Sequence, residues 1–377
     1  MEDEEKAEKD GSSNSLGTNE KEQNKNYVNI HVIGIGSFGC EIGHWVRSKR
    51  IPGVEIIAIN DNVNELIKMY ADVKLFIDNG IPRGIGTCTN PKIGEETARR
   101  ESKRIDELLG GKDVLFIISG LGGMIGSGAA PIIAEIAKKQ GSLVIGAFSL
   151  PFGMEGKIRA DNAAEAMEKL WSTTDTAIFI PLDMLKETIQ EFEFDKLWKI
   201  SSRILAEILR NVFPFLTHKM EEGSVTTDFK PVFENAGPAL LGIGESDSSG
   251  GEGWEEAASG AISSPLLVLN TSEAKINYEA VGTKLVKVHE PSFIHAKTVL
   301  AGFFSSDGIR NDDLAKATDI IRGRIPQDCK IVWNAFSDPS LEGTKRCLIL
   351  PTGIEIPHTS KDEQKGTRHE NWAHELI

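Results

Sequence analysis

A 21-residue stretch without a charged residue constrains the fold most strongly. It runs from Val114 to Ala134 and reads VLFIISGLGGMIGSGAAPIIA. A stretch of this length could be a membrane span. Its glycines are concentrated in the middle, however, and irregular backbone is not tolerated where a segment faces lipid. We therefore expect a buried strand, a glycine-rich loop and a helix, and no direct insertion into a membrane.

Apolar strands alternate with helical patterns over the first half of the chain. The strand candidates are VNIHVIGIG, VEIIAIN, KLFID, VLFIISG, SLVIGAFSLP and TAIFIP. Buried strands that alternate with helices indicate a doubly wound, mostly parallel α/β sheet. Ligands of such sheets bind at the carboxyl ends of the strands.

A long helical pattern separates this part from a second α+β domain. It runs from Asp195 to about Lys219, and Pro214 is expected to kink it or end its regular part. Beyond it the candidate strands are SPLLVLN, KLVKVHE, KTVLAGFF, CKIVWNAF and KRCLILPTG. We predict a disordered acidic tail, a nucleotide-binding domain, a central helix with its loop, a C-terminal α+β domain and a flexible tail, over residues 1–27, 28–194, 195–222, 223–356 and 357–377.

Charge and cysteine content narrow the choice of partners and compartment. The formal net charge is −14 over 377 residues, which argues against nucleic acid as the main partner. The four cysteines show no close CxxC spacing, and the chain opens with MEDEEKAEKD rather than a signal peptide. We expect a cytoplasmic protein.

Two glycine-rich motifs, each between a strand and a helix, are the candidate phosphate loops. Glycine lets the backbone approach a phosphate, and the helix that follows directs N–H groups at it. The first motif, GIGSFG, is a weak signal alone, but two such motifs in one sheet favour a phosphate site. The candidate residues are Gly34, Gly36, Ser37 and Gly39 in the first motif, and Gly122, Gly123, Gly126, Ser127 and Gly128 in the second.

The order of the motifs resembles the FtsZ/tubulin family of filament-forming GTPases, FtsZ most closely. GGMIGSGAAP is similar to the family's GGGTGTGAAP, and GIGSFGCE to its GCGGAGNN. NPKIGEETARR, PFGMEGKIRA, NAGPALLGIGE and AISSPLL follow in the family's order. The resemblance covers roughly Val28 to Gly353. It implies a nucleotide domain, a long central helix and a second domain. It also implies GTP or GDP as ligand, Mg²⁺ as a further candidate, and head-to-tail filaments used in cell division or cell shape.

The resemblance also implies roles for single residues. Gly86 falls in the γ-phosphate loop IGTCTNP, and Asn60, which ends VEIIAIN, is a further nucleotide candidate. Glu155 and Arg159 fall on the ribose and base side; a surface ion pair is the alternative, but their fit to the family's PFxxEG favours the functional role. Trp198 would stack on the base unless it is only a core residue, and Ser202 stands where the family reads guanine with an acidic or amide side chain.

Hydrolysis in the family is completed between subunits, and here only one acid of two is kept. Asp228 takes the position of the second acid, and a helix cap would explain it equally well. Val225 replaces the first acid, so we expect slow turnover. The C-terminal NWAHELI could bind a membrane-tethering or division protein, although a frayed end explains it as well.

Two other interpretations of the whole chain stay open at this point. Five departures from the family pattern, at Cys88, Met124, Ile125, Ser202 and Val225, favour a degenerate paralogue with little or no turnover that acts as a scaffold or regulator. Ile125 replaces a threonine that contacts phosphate in the family. The motif GIGSFG alone would also fit a dinucleotide-dependent oxidoreductase, but the second glycine motif has no role there.

Overall fold

The structure is a computed structural model that describes residues 30–81, 90–187, 194–217, 230–267, 276–281, 284–289 and 296–354. Its strands are β1 Ile30–Ile35, β2 Val54–Asn60, β3 Val73–Phe76, β4 Val114–Gly120, β5 Leu143–Leu150, β6 Thr176–Pro181, β7 Gly237–Ala239, β8 Gly242–Ser246, β9 Ile276–Val281, β10 Lys284–His289, β11 Thr298–Ser305, β12 Lys330–Ser337 and β13 Lys345–Thr352. Its α-helices are α1 Gly36–Ser48, α2 Val63–Lys68, α3 Pro91–Arg100, α4 Ser102–Leu109, α5 Met124–Lys139, α6 Lys157–Thr173, α7 Phe194–Leu209, α8 Phe213–Thr217, α9 Lys230–Phe233, α10 Gly250–Ile262 and α11 Asn311–Arg322.

One large sheet runs through both halves of the chain. Its order is β12-β11-β13-β7-β6-β5-β4-β1-β2-β3, and β8 pairs with β13. The strands from β3 to β7 pair in parallel, whereas β13 is antiparallel to its neighbours β7, β8 and β11. The doubly wound, mostly parallel α/β class and the α+β character of the second half are therefore confirmed.

Side chains from the two faces of this sheet form two separate cores. Along β1, Ile33 and Ile35 belong to one core, and Ile30 and Val32 belong to the other. The first core lies beneath α5 and α6, and the second lies beneath α1 and α7. Alternate residues of a strand point to opposite faces, so a strand buried on both faces reads as a continuous apolar run.

Several element bounds differ from the sequence prediction. The amphipathic spacing of residues 91–110 predicts a single helix, but the structure divides it at Glu101 into α3 and α4. The central helical pattern likewise divides into α7 and α8. Pro214 is the second residue of α8, where its missing N–H costs no helical hydrogen bond. SPLLVLN was wrong as a strand over its described part, because Pro265–Leu267 forms a 3-10 turn; residues 268–270 lie outside the described residues. No helix within the described ranges is long and apolar enough to cross a membrane.

Candidate functional site

The two glycine motifs meet at the carboxyl ends of neighbouring strands. β1 and β4 pair in parallel, and Ile35 is the register partner of Ser119. α1 starts at Gly36, directly after β1, and α5 starts at Met124, four residues after β4 ends. Both helices therefore point their N-termini at one edge of the sheet, where doubly wound folds bind ligands.

The N-termini of both helices carry features that favour an anion. Within the described part of the chain, neither helix receives a side-chain cap, and neither has an acidic residue in its first turn. In α5 the first bonded amide is that of Ser127, which donates to the carbonyl of Gly123. The preceding N–H groups of the first turn have no acceptor within the helix. They and the positive end of the helix dipole suit a phosphate group.

The glycines of the first motif are required by close packing as well. A Cβ on Gly39 would overlap the carbonyl oxygen of Ile118, and one on Gly34 would lie 2.5 Å from the carbonyl oxygen of Gly39. Gly36 has a φ of +70°, which side chains rarely adopt. Ser37 follows it and is exposed at the start of α1. Helix α1 thus lies directly on the end of β4.

The glycines of the second motif are likewise packed against backbone. A Cβ on Gly126 would overlap the carbonyl oxygen of Gly120, and one on Gly128 would overlap that of Pro91, the first residue of α3. These two glycines would be needed in an empty site too. Their presence is therefore not specific evidence for a nucleotide.

Side-chain contacts hold the second motif in a fixed shape. The N–H of Gly122 donates to Ser127 Oγ at 2.7 Å, and Asn162 Nδ2 donates to the Gly122 carbonyl at 3.2 Å. Gly122 has a φ of +97°, and Gly123 is the N-cap of α5. Ser127 is buried, so its hydroxyl serves the loop in this structure.

Met124 and Ile125 interrupt the glycines because their side chains join the core. Met124 is 6% exposed and Ile125 is 5% exposed. The Cβ of Ile125 lies 3.6 Å from the Cβ position of Gly36. The same position at Gly36 lies 3.3 Å from the backbone nitrogen of Gly126. Ile125 therefore fills the gap between the two motifs, while its backbone N–H remains in the first turn of α5.

Asn60 is buried at the end of β2, and its side chain is used within the chain. Its Nδ2 donates to Glu65 at 2.9 Å, and its Oδ1 accepts from the N–H of Asp61 at 2.9 Å. Burial is the main cause that raises the pKa of Asp61, whose carboxylate accepts from Asn79. This cluster lies one strand away from the first glycine motif.

Glu155 and Arg159 form an ion pair at the start of α6. Arg159 Nη1 lies 2.6 Å from Glu155 Oε2, and Glu155 Oε1 accepts from the N–H of Phe152 at 2.7 Å. Burial raises the pKa of the Glu155 carboxyl, although the Phe152 N–H and Arg159 oppose this. The pair borders the second motif, because a Cβ on Gly122 would lie 3.1 Å from the carbonyl oxygen of Arg159. Both explanations of the pair therefore stay open: an ion pair is formed, and it lies beside the candidate site.

Trp198 and Ser202 lie four residues apart on α7 but in different surroundings. Trp198 is half-buried and packs edge-on against Phe38 and Phe152, with ring centroids 5.9 Å and 5.3 Å away. Phe38 belongs to the first glycine motif, so Trp198 lies on the side of the candidate site where it was predicted to stack on the base. Ser202 is fully buried, and its hydroxyl donates to the Lys199 carbonyl at 3.0 Å.

Two predicted residues cannot be placed. Gly86 and Asp228 lie outside the described residues, as do Cys88 and Val225. Their roles stay predictions. Within the described ranges, no group of three or more His, Cys, Asp or Glu side chains could hold a metal ion.

A cavity of about 840 Å³ lies beside the central helix, apart from the glycine motifs. It is lined by one side of α7, by Trp45 of α1, and by Ile243, Pro265 and Arg346 of the second half. None of the predicted nucleotide contacts lines it.

Sequence reasoning missed three residues of the site. Phe38 and Phe152 hold Trp198, and the buried Ser119 contacts both glycine motifs. A serine that ends a buried apolar strand is the signal that could have drawn attention to Ser119. The two phenylalanines carry no such signal.

Comparison with known proteins agrees with this geometry. Residues 29–190 match the Tubulin/FtsZ family, GTPase domain. Cell division protein FtsZ 1 of Thermococcus kodakarensis is 33% identical over 89% of this chain and 83% of its own length. The corresponding protein of Methanocaldococcus jannaschii is 32% identical over 86% of this chain and 83% of its own length.

Solved structures show the same likeness. An empty FtsZ dimer from M. jannaschii is 31% identical, covers 92% of this chain and 94% of its own, and has a TM-score of 0.76. A CetZ protein from Haloferax volcanii, solved as a GTPγS-bound protofilament, covers 92% of this chain and 96% of its own with a TM-score of 0.68, but at 16% identity it shows the fold alone. The match to the T. kodakarensis protein, 33% identical over most of both chains, establishes that this chain belongs to the tubulin/FtsZ family and carries its GTPase domain.

Proposed function

We propose that this protein is an FtsZ-like cytoskeletal GTPase that binds GTP and GDP where α1 and α5 begin, and that it assembles into head-to-tail filaments with slow turnover. The observation that carries the proposal is the convergence of two uncapped helix N-termini at the carboxyl ends of β1 and β4. Backbone N–H groups alone can bind a diphosphate there, so the loss of a threonine hydroxyl at Ile125 weakens the site without removing it.

The nucleoside is proposed to lie towards α7 and α6. Trp198 presents an aromatic face beside the first motif, and Glu155 with Arg159 borders the second. Ser202 Oγ donates to the Lys199 carbonyl and keeps its lone pairs as acceptors, but the side chain is fully buried, so it would contribute to base recognition only if it became accessible to the base. We therefore expect a weaker preference for guanine than an acidic side chain would give.

Hydrolysis is proposed to depend on Asp228 acting in the site of the next subunit, with Gly86 near the third phosphate. A single carboxylate can still orient water, because positioning and charge supply most of the rate in phosphoryl transfer. We propose that Mg²⁺ enters with the nucleotide and is held largely by phosphate oxygens and water, as is usual for this ion.

Self-association is the main proposed interaction. The FtsZ relative from M. jannaschii was solved as a dimer, and the CetZ protein from H. volcanii, which has the same fold, was solved as a protofilament. The tail residues 371–377, NWAHELI, are proposed to bind a membrane-tethering or division protein in the cytoplasm.

The test is phosphate release from GTP against protein concentration, with magnesium and potassium present, beside equilibrium binding of GDP. Release that starts only above a threshold concentration is expected for a site completed between subunits. Asp228→Ala should abolish release and leave GDP binding intact. Binding without release at any concentration would favour the degenerate paralogue, and absence of binding would refute the proposed site.

A further inference from the structure

Ser119 lies beneath both glycine motifs and is fully buried. Its Oγ lies 3.3 Å from the carbonyl oxygen of Ile35 and 3.1 Å from that of Gly126. Ile35 is the N-cap of α1, and Gly126 is the third residue of α5. One side chain therefore contacts the first turn of both helices.

The contact with Ile35 bears directly on an amide of the site. The peptide group is planar, so the Ile35 carbonyl and the Gly36 N–H point in opposite directions from the same rigid unit. A hydroxyl that binds the Ile35 carbonyl therefore directs the Gly36 N–H to the side opposite Ser119. The same reasoning applies to Gly126, whose carbonyl shares a peptide group with the Ser127 N–H that starts the α5 ladder.

The sheet and close packing also keep the two motifs together: β1 pairs with β4 in parallel, and Gly39 of α1 packs on the Ile118 carbonyl. Packing contacts of this kind have little directional preference. The Ser119 hydroxyl has one proton to share between two carbonyl oxygens, and it adds direction to the contact.

We propose that Ser119 is a positioning residue for the phosphate site, which sets the relative orientation of the N-termini of α1 and α5. This inference rests on the proposed function, since it concerns the same site. Ser119 does not reach the ligand; it acts through the peptide groups of Ile35 and Gly126.

Ser142 provides a matched control. It is also a buried serine beside a strand of the same sheet, and its Oγ donates to the Lys112 carbonyl at 2.6 Å. It precedes β5 and therefore lies at the opposite edge of the sheet from the glycine motifs. Ser142→Ala and Ser119→Ala each remove one buried hydroxyl that donates to backbone.

The experiment measures GDP affinity and amide hydrogen exchange for the full chain and both variants. Ser119→Ala should weaken GDP binding about fivefold, the equivalent of one ordinary hydrogen bond, whereas Ser142→Ala should leave affinity unchanged. In nucleotide-free protein, Ser119→Ala should speed exchange at the bonded amides of Gly122 and Ser127, and Ser142→Ala should speed it only near Leu143.

The outcomes separate this proposal from the proposed function. Unchanged affinity in Ser119→Ala, or an equal loss in Ser142→Ala, would overturn the positioning role. If the unmodified chain binds no GDP, the proposed function fails, and the hydrogen-exchange measurement alone tests the role of Ser119. Faster exchange at Gly122 and Ser127 would then uphold Ser119 as the residue that orders the motifs, and unchanged exchange would refute it.

Discussion

Ile125 offers a direct test of whether the second glycine motif faces phosphate. Its side chain is 5% exposed and lies between the two motifs, 3.6 Å from the Cβ position of Gly36. Ile125→Thr and Ile125→Val give side chains of nearly the same shape, of which only the threonine has a hydroxyl. The comparison isolates that group, whereas truncating the buried Met124 as well would cost about 2–5 kcal/mol in lost packing.

The threonine variant should be less stable than the valine variant but should bind GDP more tightly. Without nucleotide, Ile125→Val should lose about 0.5–1.5 kcal/mol, as is usual for one buried methyl group. Ile125→Thr should lose about 1 kcal/mol more, since its hydroxyl is buried beside apolar side chains. With GDP bound, that hydroxyl can donate to a charged oxygen, and such a bond contributes about 1.5–3 kcal/mol. Ile125→Thr should therefore bind GDP at least about tenfold more tightly than Ile125→Val.

Urea unfolding without nucleotide and equilibrium titration with GDP measure the two quantities. The valine variant is the control for packing, so its affinity should stay close to that of the unmodified chain. Equal affinities for the threonine and valine variants would refute the reasoning. Residue 125 would then not face phosphate, and its departure from the family pattern would not explain weak binding.

Three further predictions follow from single residues. Gly36→Ala and Gly141→Ala both place a side chain at a positive φ, at a cost of about 1–2 kcal/mol each, but only Gly36→Ala should weaken GDP binding in a titration. Burial raises the pKa of the Glu155 carboxyl above its ordinary value of 4.5. The unmodified chain should therefore gain most stability over Glu155→Gln below pH 4.5, and this gain should be lost as pH rises through the raised pKa of Glu155. Urea unfolding of both proteins across that pH range measures the difference. Gly39→Ala should cost about 1–3 kcal/mol by overpacking, whereas Gly110→Ala, with its nearest neighbour at 3.5 Å, should change the unfolding free energy little.

Strand positions in the parallel part of the sheet could be predicted closely from sequence. VEIIAIN, VLFIISG and TAIFIP correspond residue for residue to β2, β4 and β6. Each is an apolar run buried on both faces, and that pattern is hard to confuse with a loop. The short β7 and β8 were missed, because NAGPALLGIGE contains three glycines and a proline and carries no clear period.

Helix starts were predicted too late for a physical reason. The sequence places α1 and α5 after the glycines, since glycine disfavours a helix interior. Both helices instead begin within the motifs, at Gly36 and Met124. Close approach of α1 to Ile118 and of α5 to Gly120 excludes a Cβ and so overrides local propensity.

The meeting of the two glycine motifs could be predicted, but the contacts between them could not. Two such motifs between strand and helix in a parallel sheet were enough to expect them at the ends of β1 and β4. The contact of Ser119 with Ile35 joins residues 84 positions apart, and a single sequence has no signal for such a pair. The packing of Trp198 on Phe38 and Phe152 is equally non-local.

The glycines and the substituted side chains carry different kinds of evidence about activity. Gly39, Gly126 and Gly128 are fixed by backbone overlap, so they would persist in a chain that had lost its nucleotide. Their retention therefore supports the fold and is neutral on turnover. Residues free to vary without breaking the fold are the informative ones: Ile125 has no hydroxyl to offer a phosphate, and the hydroxyl of Ser202 is fully buried. Affinity supplied by backbone N–H groups would then persist, while base selectivity and hydrolysis rate would decline first.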